Sequence, residues 1–220
     1  MPQQPSGPRG RPPRISRAEI VEAARRIVDE DAGVDRLTMR RLAREVGSTP
    51  MALYHHVRDK EELLILVMDD LAEQVMRRPE LPADPRERVV ALAAAIRASL
   101  AERPWVVELL AADDLMSRSA LWYNERIVGA LMECGLTIER AVHAYRAVWY
   151  YTVGEMTVRA ASTRRRARDD RPTYRDRVFA DLDPEELPRL ASLEGRWTEL
   201  TARDTYLDGL RALVDGLTRG

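Results

Sequence analysis

Residues 15–64, ISRAEIVEAARRIVDEDAGVDRLTMRRLAREVGSTPMALYHHVRDKEELL, decide how this chain is read. Strand signals are nearly absent from it, and apolar residues recur at helical spacing between glycine and proline breaks. Ser16 and Glu19 stand three apart ahead of an apolar run, which is the pattern of a capping box, and open a first helix. Ile20, Ala23, Ala24, Ile27 and Val28 share one face of that helix, and Gly33 ends it. Thr38 caps a short second helix carrying Met39, Leu42, Ala43 and Val46, closed by Gly47. Thr49 followed by Pro50 starts a third, because proline at the first helical position gives up only a donor that has no partner there. Asp59 and Glu62 make a second capping box at the head of a long fourth helix, expected to run to about Arg77.

Short helices joined by the tight Gly47-Ser48-Thr49 turn are what a helix-turn-helix needs. One helix braces another whose first turns must enter a groove about 12 Å wide. Leu42, Ala43, Val46, Leu53 and Val57 supply the shared core, and the third helix presents Thr49, Pro50, Met51, Tyr54, His55 and His56. At these positions the chain resembles the N-terminal domain of the tetracycline-repressor (TetR) family of bacterial transcription regulators. The resemblance is carried by Gly33, Leu37-Thr38, Leu42-Ala43, Gly47, Ala52-Leu53-Tyr54, His56-Val57, Lys60 and Leu63-Leu64. More weakly, the ending DTYLDGLRALVDGL (204–217) resembles the last helix of the tetracycline-repressor branch.

The resemblance implies an all-α fold, with an N-terminal three-helix helix-turn-helix followed by a helical ligand-binding and dimerisation domain. It also implies roles for particular residues. Thr38 becomes a phosphate contact as well as a cap, and Arg40 reaches the groove or its backbone. Thr49, Pro50 and Met51 occupy the leading turn and are the candidates for base readout. Proline and methionine offer only apolar contact, such as with a thymine methyl. Tyr54 and His56 match phosphate-holding positions and Lys60 a backbone contact, which fix register without specifying sequence. Tyr54 could instead pack on the first helix. Adjacent His55 and His56 point about 100° apart on a helix and no third ligand follows, so no metal is expected.

The rest of the composition narrows the class. The chain has 220 residues, of which 45% are hydrophobic and 32% charged, so it is neither a disordered chain nor a membrane protein. No apolar run approaches the roughly 20 residues that span a bilayer. MPQQPSGPRGRPPR lacks an apolar signal core, and a cytoplasmic location is expected. Residues 1–60 carry 12 basic against 8 acidic groups, while the remainder carries 23 against 28. A basic front on an acidic body points to a polyanionic partner at one end. Arg9, Arg11 and Arg14 lie in a proline-rich arm over 1–15 that is expected to be disordered or extended in isolation. That arm is either a solvated tail or a segment that enters a minor groove, with Arg14 the candidate contact. The helix-turn-helix is then placed at 16–62 and the helical body at 63–220.

In the body, Asp84-Pro85 starts a helix with Val89, Leu92, Ala93, Ile96 and Leu100 on one face, and Pro104 sets off a short apolar piece, Trp105 to Leu110. Another helix runs from about Ser119 to Cys134, closed by Gly135. Thr137 then caps a long helix with apolar positions Ile138, Ala141, Val142, Tyr145, Val148, Trp149, Thr152 and Met156. Residues 163–176 read as a charged link, and helices at about 185–192 and 201–217 finish the chain. Tryptophan and tyrosine bring a polar edge that suits a pocket for an aromatic or amphipathic effector. Trp105, Leu109, Trp122, Tyr123, Tyr145 and Trp149 are the candidate ligand residues, with ordinary core packing as the other reading. Tyr150, Tyr151 and Val153, with several of Leu207, Leu210, Leu213, Val214 and Leu217, fall off the main apolar stripes. They are expected to pack against a second copy, making a homodimer through helices near 137–161 and 201–217. Nucleophile-elbow, zinc-protease and phosphate-loop motifs are missing, so neither an enzyme nor a cofactor is expected. Cys134 reads as packing, with redox sensing the alternative. The expected function is a repressor released from a double-stranded DNA operator by a small molecule. A ligand-independent regulator, an activator, or a helical carrier that does not bind DNA are the alternatives.

Overall fold

A computed structural model describes residues 15–30, 33–111, 117–169 and 171–219; Arg14 and the arm before it lie outside them. Every regular element among the described residues is a helix. In order these are α1 (Arg17–Glu30), α2 (Met39–Glu45), α3 (Pro50–Tyr54), α4 (Lys60–Val75), α5 (Pro85–Leu100) and α6 (Pro104–Ala111). They continue with α7 (Leu121–Glu133), α8 (Ile138–Arg168), α9 (Tyr174–Ala180), α10 (Pro188–Ala191), α11 (Trp197–Ala202) and α12 (Tyr206–Thr218). The fold is therefore all-α, with a helix-turn-helix at the front and a helical domain behind it.

The chain divides into two compact units between Leu71 and Ala72, inside α4, rather than at the 62/63 boundary expected above. Burial explains the shift. Leu63, Leu64, Val67, Met68 and Leu71 of α4 are all buried, as are Ile20, Ala24, Ile27, Leu42 and Leu53 of the first three helices. A three-helix unit of this size would be short of core without those turns of α4.

Local signals set the first unit. Ser16 and Glu19 form both bonds of the capping box, at 2.7 and 3.2 Å. Asp59 accepts from the Glu62 amide at 2.8 Å, but the reciprocal bond goes elsewhere: the Glu62 carboxylate takes the Arg58 amide and guanidinium and the Arg17 guanidinium. The second expected box is thus only half made. The Arg58 amide is the main reason the Glu62 carboxyl sits below its ordinary range. Gly47 takes a positive φ of 63°, and the Ser48 amide reaches back to the Ala43 carbonyl at 2.8 Å. This closes α2 in the left-handed turn that glycine adopts without a Cβ penalty.

The second unit packs α5, α7, α8 and α12 around one core, with α6 laid against α8. Val89, Leu92 and Ile96 of α5 and Tyr123, Ile127 and Leu131 of α7 are buried in it, and Ala141, Ala144, Val148, Tyr206, Leu210 and Val214 complete it. Several sequence readings are corrected here. Ile138 and Val142 are exposed, because the buried face of α8 runs through Ala141, Ala144, Val148, Thr152 and Met156. Val153, Leu210 and Val214 do not await a second copy, because they are buried within the protomer. Tyr151 is likewise engaged, stacked on Tyr206 with centroids 5.5 Å apart. The charged stretch after 163 is not wholly a link: α8 continues to Arg168, where cations meet the negative end of the helix dipole. Finally, α9 and α11 form within stretches that gave no helix signal. They are held by stacked Phe179 and Trp197, 4.5 Å apart, and by a bond from the Thr198 hydroxyl to Asp176.

Candidate functional site

The first unit presents a small surface around α2 and α3 built on two capping threonines. The Thr38 hydroxyl accepts from the Arg41 amide and the Thr49 hydroxyl from the Ala52 amide, each at 3.2 Å. A hydroxyl that caps through a lone pair keeps its proton, so each can still donate outward. Pro50 follows as the first helical residue. Beneath this surface Leu53 and Val57 are buried, whereas Met51 is 70% exposed and Tyr54 48%. A methionine that open on a five-residue helix has no core role. Tyr54 keeps nearly half of its surface in solvent beside it. His56 is half-buried, at the edge of the same surface.

The charges divide by element. Arg17, Arg25 and Arg26 of α1 are paired with carboxylates. In contrast, Arg36, Arg40 and Arg44 are exposed, and none forms an ion pair with a described residue. Only Arg40 of these three follows from the family motif; the other two emerge from where the structure leaves charge uncompensated. Lys60 is placed differently from expectation: its ammonium donates to the Val34 carbonyl at 2.9 Å, tying the head of α4 to the loop after α1. Two of its three donors stay uncommitted. Thr38, Arg40, Thr49, Pro50, Met51, Tyr54 and the edge of His56 share the α2–α3 region, with Lys60 as an anchor beside it.

The aromatic candidates of the second unit behave unlike these. Trp105, Leu109 and Tyr123 are buried in the packed core. The Tyr123 hydroxyl donates to the Arg77 carbonyl, just past the end of α4, and burial pushes its phenol upward in pKa. Trp122 is half-buried with the Arg78 and Arg126 guanidiniums over its ring at 5.0 and 5.6 Å, and meets Tyr123 edge to face. Tyr145 and Trp149 are half-buried on α8. None of the six lines the clefts described next.

A polar network absent from the expectations above joins α5, α8 and the head of α12. Arg97 forms a two-bond pair with Glu155 at 2.8 and 2.9 Å, reaches Asp204 at 2.9 Å, and lies 4.5 Å over the Tyr206 ring. Arg159 bonds Glu155 from one helical turn on and lies 3.4 Å from Asp204. Burial opposes the charged form of Glu155, but the bonds from Arg97 and Arg159 outweigh it and hold the carboxyl below its usual range. Burial pushes the Tyr206 phenol up to about 12, and its hydroxyl lies 2.9 Å from that of Thr152. Two clefts share Glu155 and Arg159. One, of about 290 Å³, is lined by Ala98, Ala101, Val107, Met156 and Ala160 beside the arginines. The other, of about 350 Å³, is lined by Tyr151, Thr198, Thr201, Thr205 and Tyr206. The i,i+4 pair Glu155–Arg159 was the one signal available in sequence; the remaining contacts cross about 50 to 110 positions. Among the described residues no group of three or more His, Cys, Asp and Glu side chains could hold a metal, and no helix is long and apolar enough to cross a membrane.

Residues 20–67 match the family described as bacterial regulatory proteins, tetR family, and residues 78–219 match the tetracyclin repressor-like C-terminal domain. Among curated relatives, the HTH-type transcriptional repressor DrrR1 of Streptomyces coeruleorubidus is 33% identical over 66% of this chain. That alignment spans 54% of DrrR1, so the chain matches about half the length of this relative. The class D tetracycline repressor protein of Escherichia coli is 28% identical over 92% of this chain and 89% of its own. Among solved structures, the Streptomyces coelicolor TetR family protein ActR in complex with (S)-DNPA superposes with a TM-score of 0.73 at 26% identity, covering 92% of this chain and 96% of that one. BioQ with its double-stranded DNA operator gives a TM-score of 0.65 at 26% identity, covering 94% and 99%.

Proposed function

The chain belongs to the tetracycline-repressor family of bacterial transcription regulators, and from that premise we propose that it is a dimeric repressor whose hold on an operator is released by a small molecule. The observation that carries the DNA half is the outward surface of α3. Met51 and Tyr54 stand in solvent on a helix fixed by the Thr49 cap, beside the uncompensated charges of Arg36, Arg40 and Arg44. Thr49, Pro50 and Met51 read base edges, with Met51 offering apolar contact to a thymine methyl. Thr38, Tyr54, His56 and Lys60 hold phosphates and set register, and the arm that carries Arg14 enters an adjacent minor groove. BioQ in complex with its operator supports this reading by likeness.

The effector half rests on the second unit. The Streptomyces coelicolor protein ActR, similar in fold and sequence, has been solved in complex with (S)-DNPA. Here the core around Trp105, Leu109, Trp122, Tyr123, Tyr145 and Trp149 supplies apolar and aromatic surroundings, and the separate cleft of about 290 Å³ sets Ala98, Ala101, Val107, Met156 and Ala160 beside the charged groups of Arg97, Glu155 and Arg159. Dimerisation uses α8 and α12, whose Ile138, Val142, Tyr150, Val158 and Leu207 remain exposed in the protomer, Tyr150 beneath the Arg146 guanidinium. A two-fold dimer presents two reading helices to successive major grooves about 34 Å apart. An effector that binds a differently spaced state more tightly shifts the population away from the operator, by no more than its differential affinity. The protein acts by binding, in the cytoplasm, without catalysis.

The test is selection of bound duplexes from a random pool, at low and moderate salt. An enriched inverted repeat with a steep salt dependence is the expected result. Failure to enrich any sequence at either salt would leave a helical small-molecule binder as the better account.

A further inference from the structure

Residues 162–177, STRRRARDDRPTYRDR, hold seven arginines against three aspartates, inside a body that is otherwise acidic. The structure folds this stretch into the last turns of α8, a turn through Pro172, and the start of α9. Between them lies a cleft of about 960 Å³ lined by Ser162, Arg165, Arg171, Thr173, Tyr174, Arg175 and Arg177, with Asp169 and Pro172. The nearby carboxylates are committed: Asp169 clasps Arg171 through three side-chain bonds, while Asp176 takes the Thr173 amide and the Thr198 hydroxyl. Asp170 lies outside the described residues. The guanidinium groups of Arg165, Arg175 and Arg177 form neither a hydrogen bond nor an ion pair with any described residue.

Helix electrostatics account for only part of this charge. Cations in the last turn of α8 meet the negative end of its dipole, which rewards Arg165, Arg166 and Arg168. Arg175 gains nothing comparable, because it stands in the first turn of α9, whereas Arg177 falls in the last turn of that short helix. Along α8, Arg164 and Arg168 repel at i,i+4, and Arg165 and Arg168 at i,i+3. The arginines line a concavity from both sides instead of forming a straight stripe, and its volume falls in the range of small-molecule sites. Guanidinium forks with hydroxyl donors from Ser162, Thr173 and Tyr174 match phosphate oxygens. The Tyr174 ring, 77% exposed at the rim, offers a flat apolar face for a planar group.

We propose that this cleft binds a phosphorylated small molecule of the nucleotide class, separately from the operator and from the aromatic core. The site is independent of the release mechanism above, and its test needs no operator. Binding of ATP, tripolyphosphate and adenosine to the full chain is measured by calorimetry without added metal, for wild type, Arg165→Glu, Arg175→Glu, Tyr174→Ala and the distant Arg189→Glu. Thermal melts confirm that each variant is folded. The expected result is saturable ATP binding stronger than tripolyphosphate, with adenosine weakest. Each cleft arginine change weakens ATP by about tenfold or more, as the loss of a charge-assisted bond implies, and Arg189→Glu leaves it unchanged. No ATP binding, or equal loss in Arg189→Glu, would overturn the proposal. Tripolyphosphate matching ATP, with Tyr174→Ala silent, would overturn the nucleotide assignment. Loss of duplex binding in the cleft variants without any ATP binding would make this a DNA surface instead.

Discussion

The α2–α3 surface and the aromatic core of the second unit treat large side chains in opposite ways. Met51 and Tyr54 stand in solvent on a helix too short to be stable alone, held by the Thr49 cap below and by buried Leu53 and Val57. Trp105 and Tyr123 lie within well-packed surroundings, and the Tyr123 hydroxyl has its partner in the Arg77 carbonyl. In the first region exposure costs hydrophobic burial and is repaid only by a partner. In the second, burial itself is the gain, and any ligand must enter a core that already satisfies its polar edges. The same residue types therefore carry different weight as functional signals in the two units.

Substitutions separate the two cases, beginning with the largest effect. Trp105→Ala removes a buried indole and is expected to lower stability by about 3–5 kcal/mol in denaturant unfolding, with duplex affinity falling only as the folded fraction falls. A stability change below about 1 kcal/mol would mean that Trp105 faces a cavity and is free for a ligand. Glu155→Gln deprives Arg97 and Arg159 of a shared carboxylate. Allowing for solvent screening of a partly exposed network, about 1–2 kcal/mol is expected. The pH dependence has a definite sign: the folded Glu155 pKa is depressed, so its contribution is present above the ordinary glutamate value and is lost as pH falls below it. Glu155→Gln flattens that part of the acid unfolding curve.

Thr49→Ala removes the α3 cap and is expected to cost about 1 kcal/mol, while weakening duplex binding because the reading helix frays. Met51→Ala is the sharpest contrast: stability should stay within about 0.5 kcal/mol, and the loss should appear as relaxed preference at one base position of the selected duplex. At the small end, Thr198→Val frees Asp176, whose carboxyl is held at about 2 chiefly by the Thr198 hydroxyl and then by the Thr173 amide. A depressed carboxyl stabilises above its unfolded pKa and stops doing so as pH falls towards 2. Loosening of α9 from α11, read by hydrogen exchange at neutral pH, should therefore rise in Thr198→Val and match wild type in strong acid.

What could be read from the chain alone follows the range of the interaction. The caps at Ser16, Thr38, Thr49 and Thr137 and the left-handed Gly47 depend on neighbours within five positions, and all of them form. The spacing of Leu42, Ala43, Leu53 and Val57 likewise foretells the small core that fixes the reading surface. Misreadings begin where a group has two possible partners. The Glu62 carboxylate turns to Arg58 and Arg17 instead of the Asp59 amide. They deepen where partners are distant: nothing near Arg97 in sequence announces Glu155, Asp204 or Tyr206. Composition misleads in one place, because the first part of an arginine-rich run that looks like a link, through Arg168, is the end of a 31-residue helix.

The central claim is that the exposed side of α3 exists to meet DNA. The most direct measurement is a fluorescence-anisotropy titration of the selected duplex with wild type and with the double variant Met51→Ala/Tyr54→Ala, alongside thermal melts of both. The account predicts unchanged melting and a loss of duplex affinity of about tenfold or more, as expected when a base contact and a phosphate contact are both removed. Equal affinity for the two proteins, with equal melting, would contradict it.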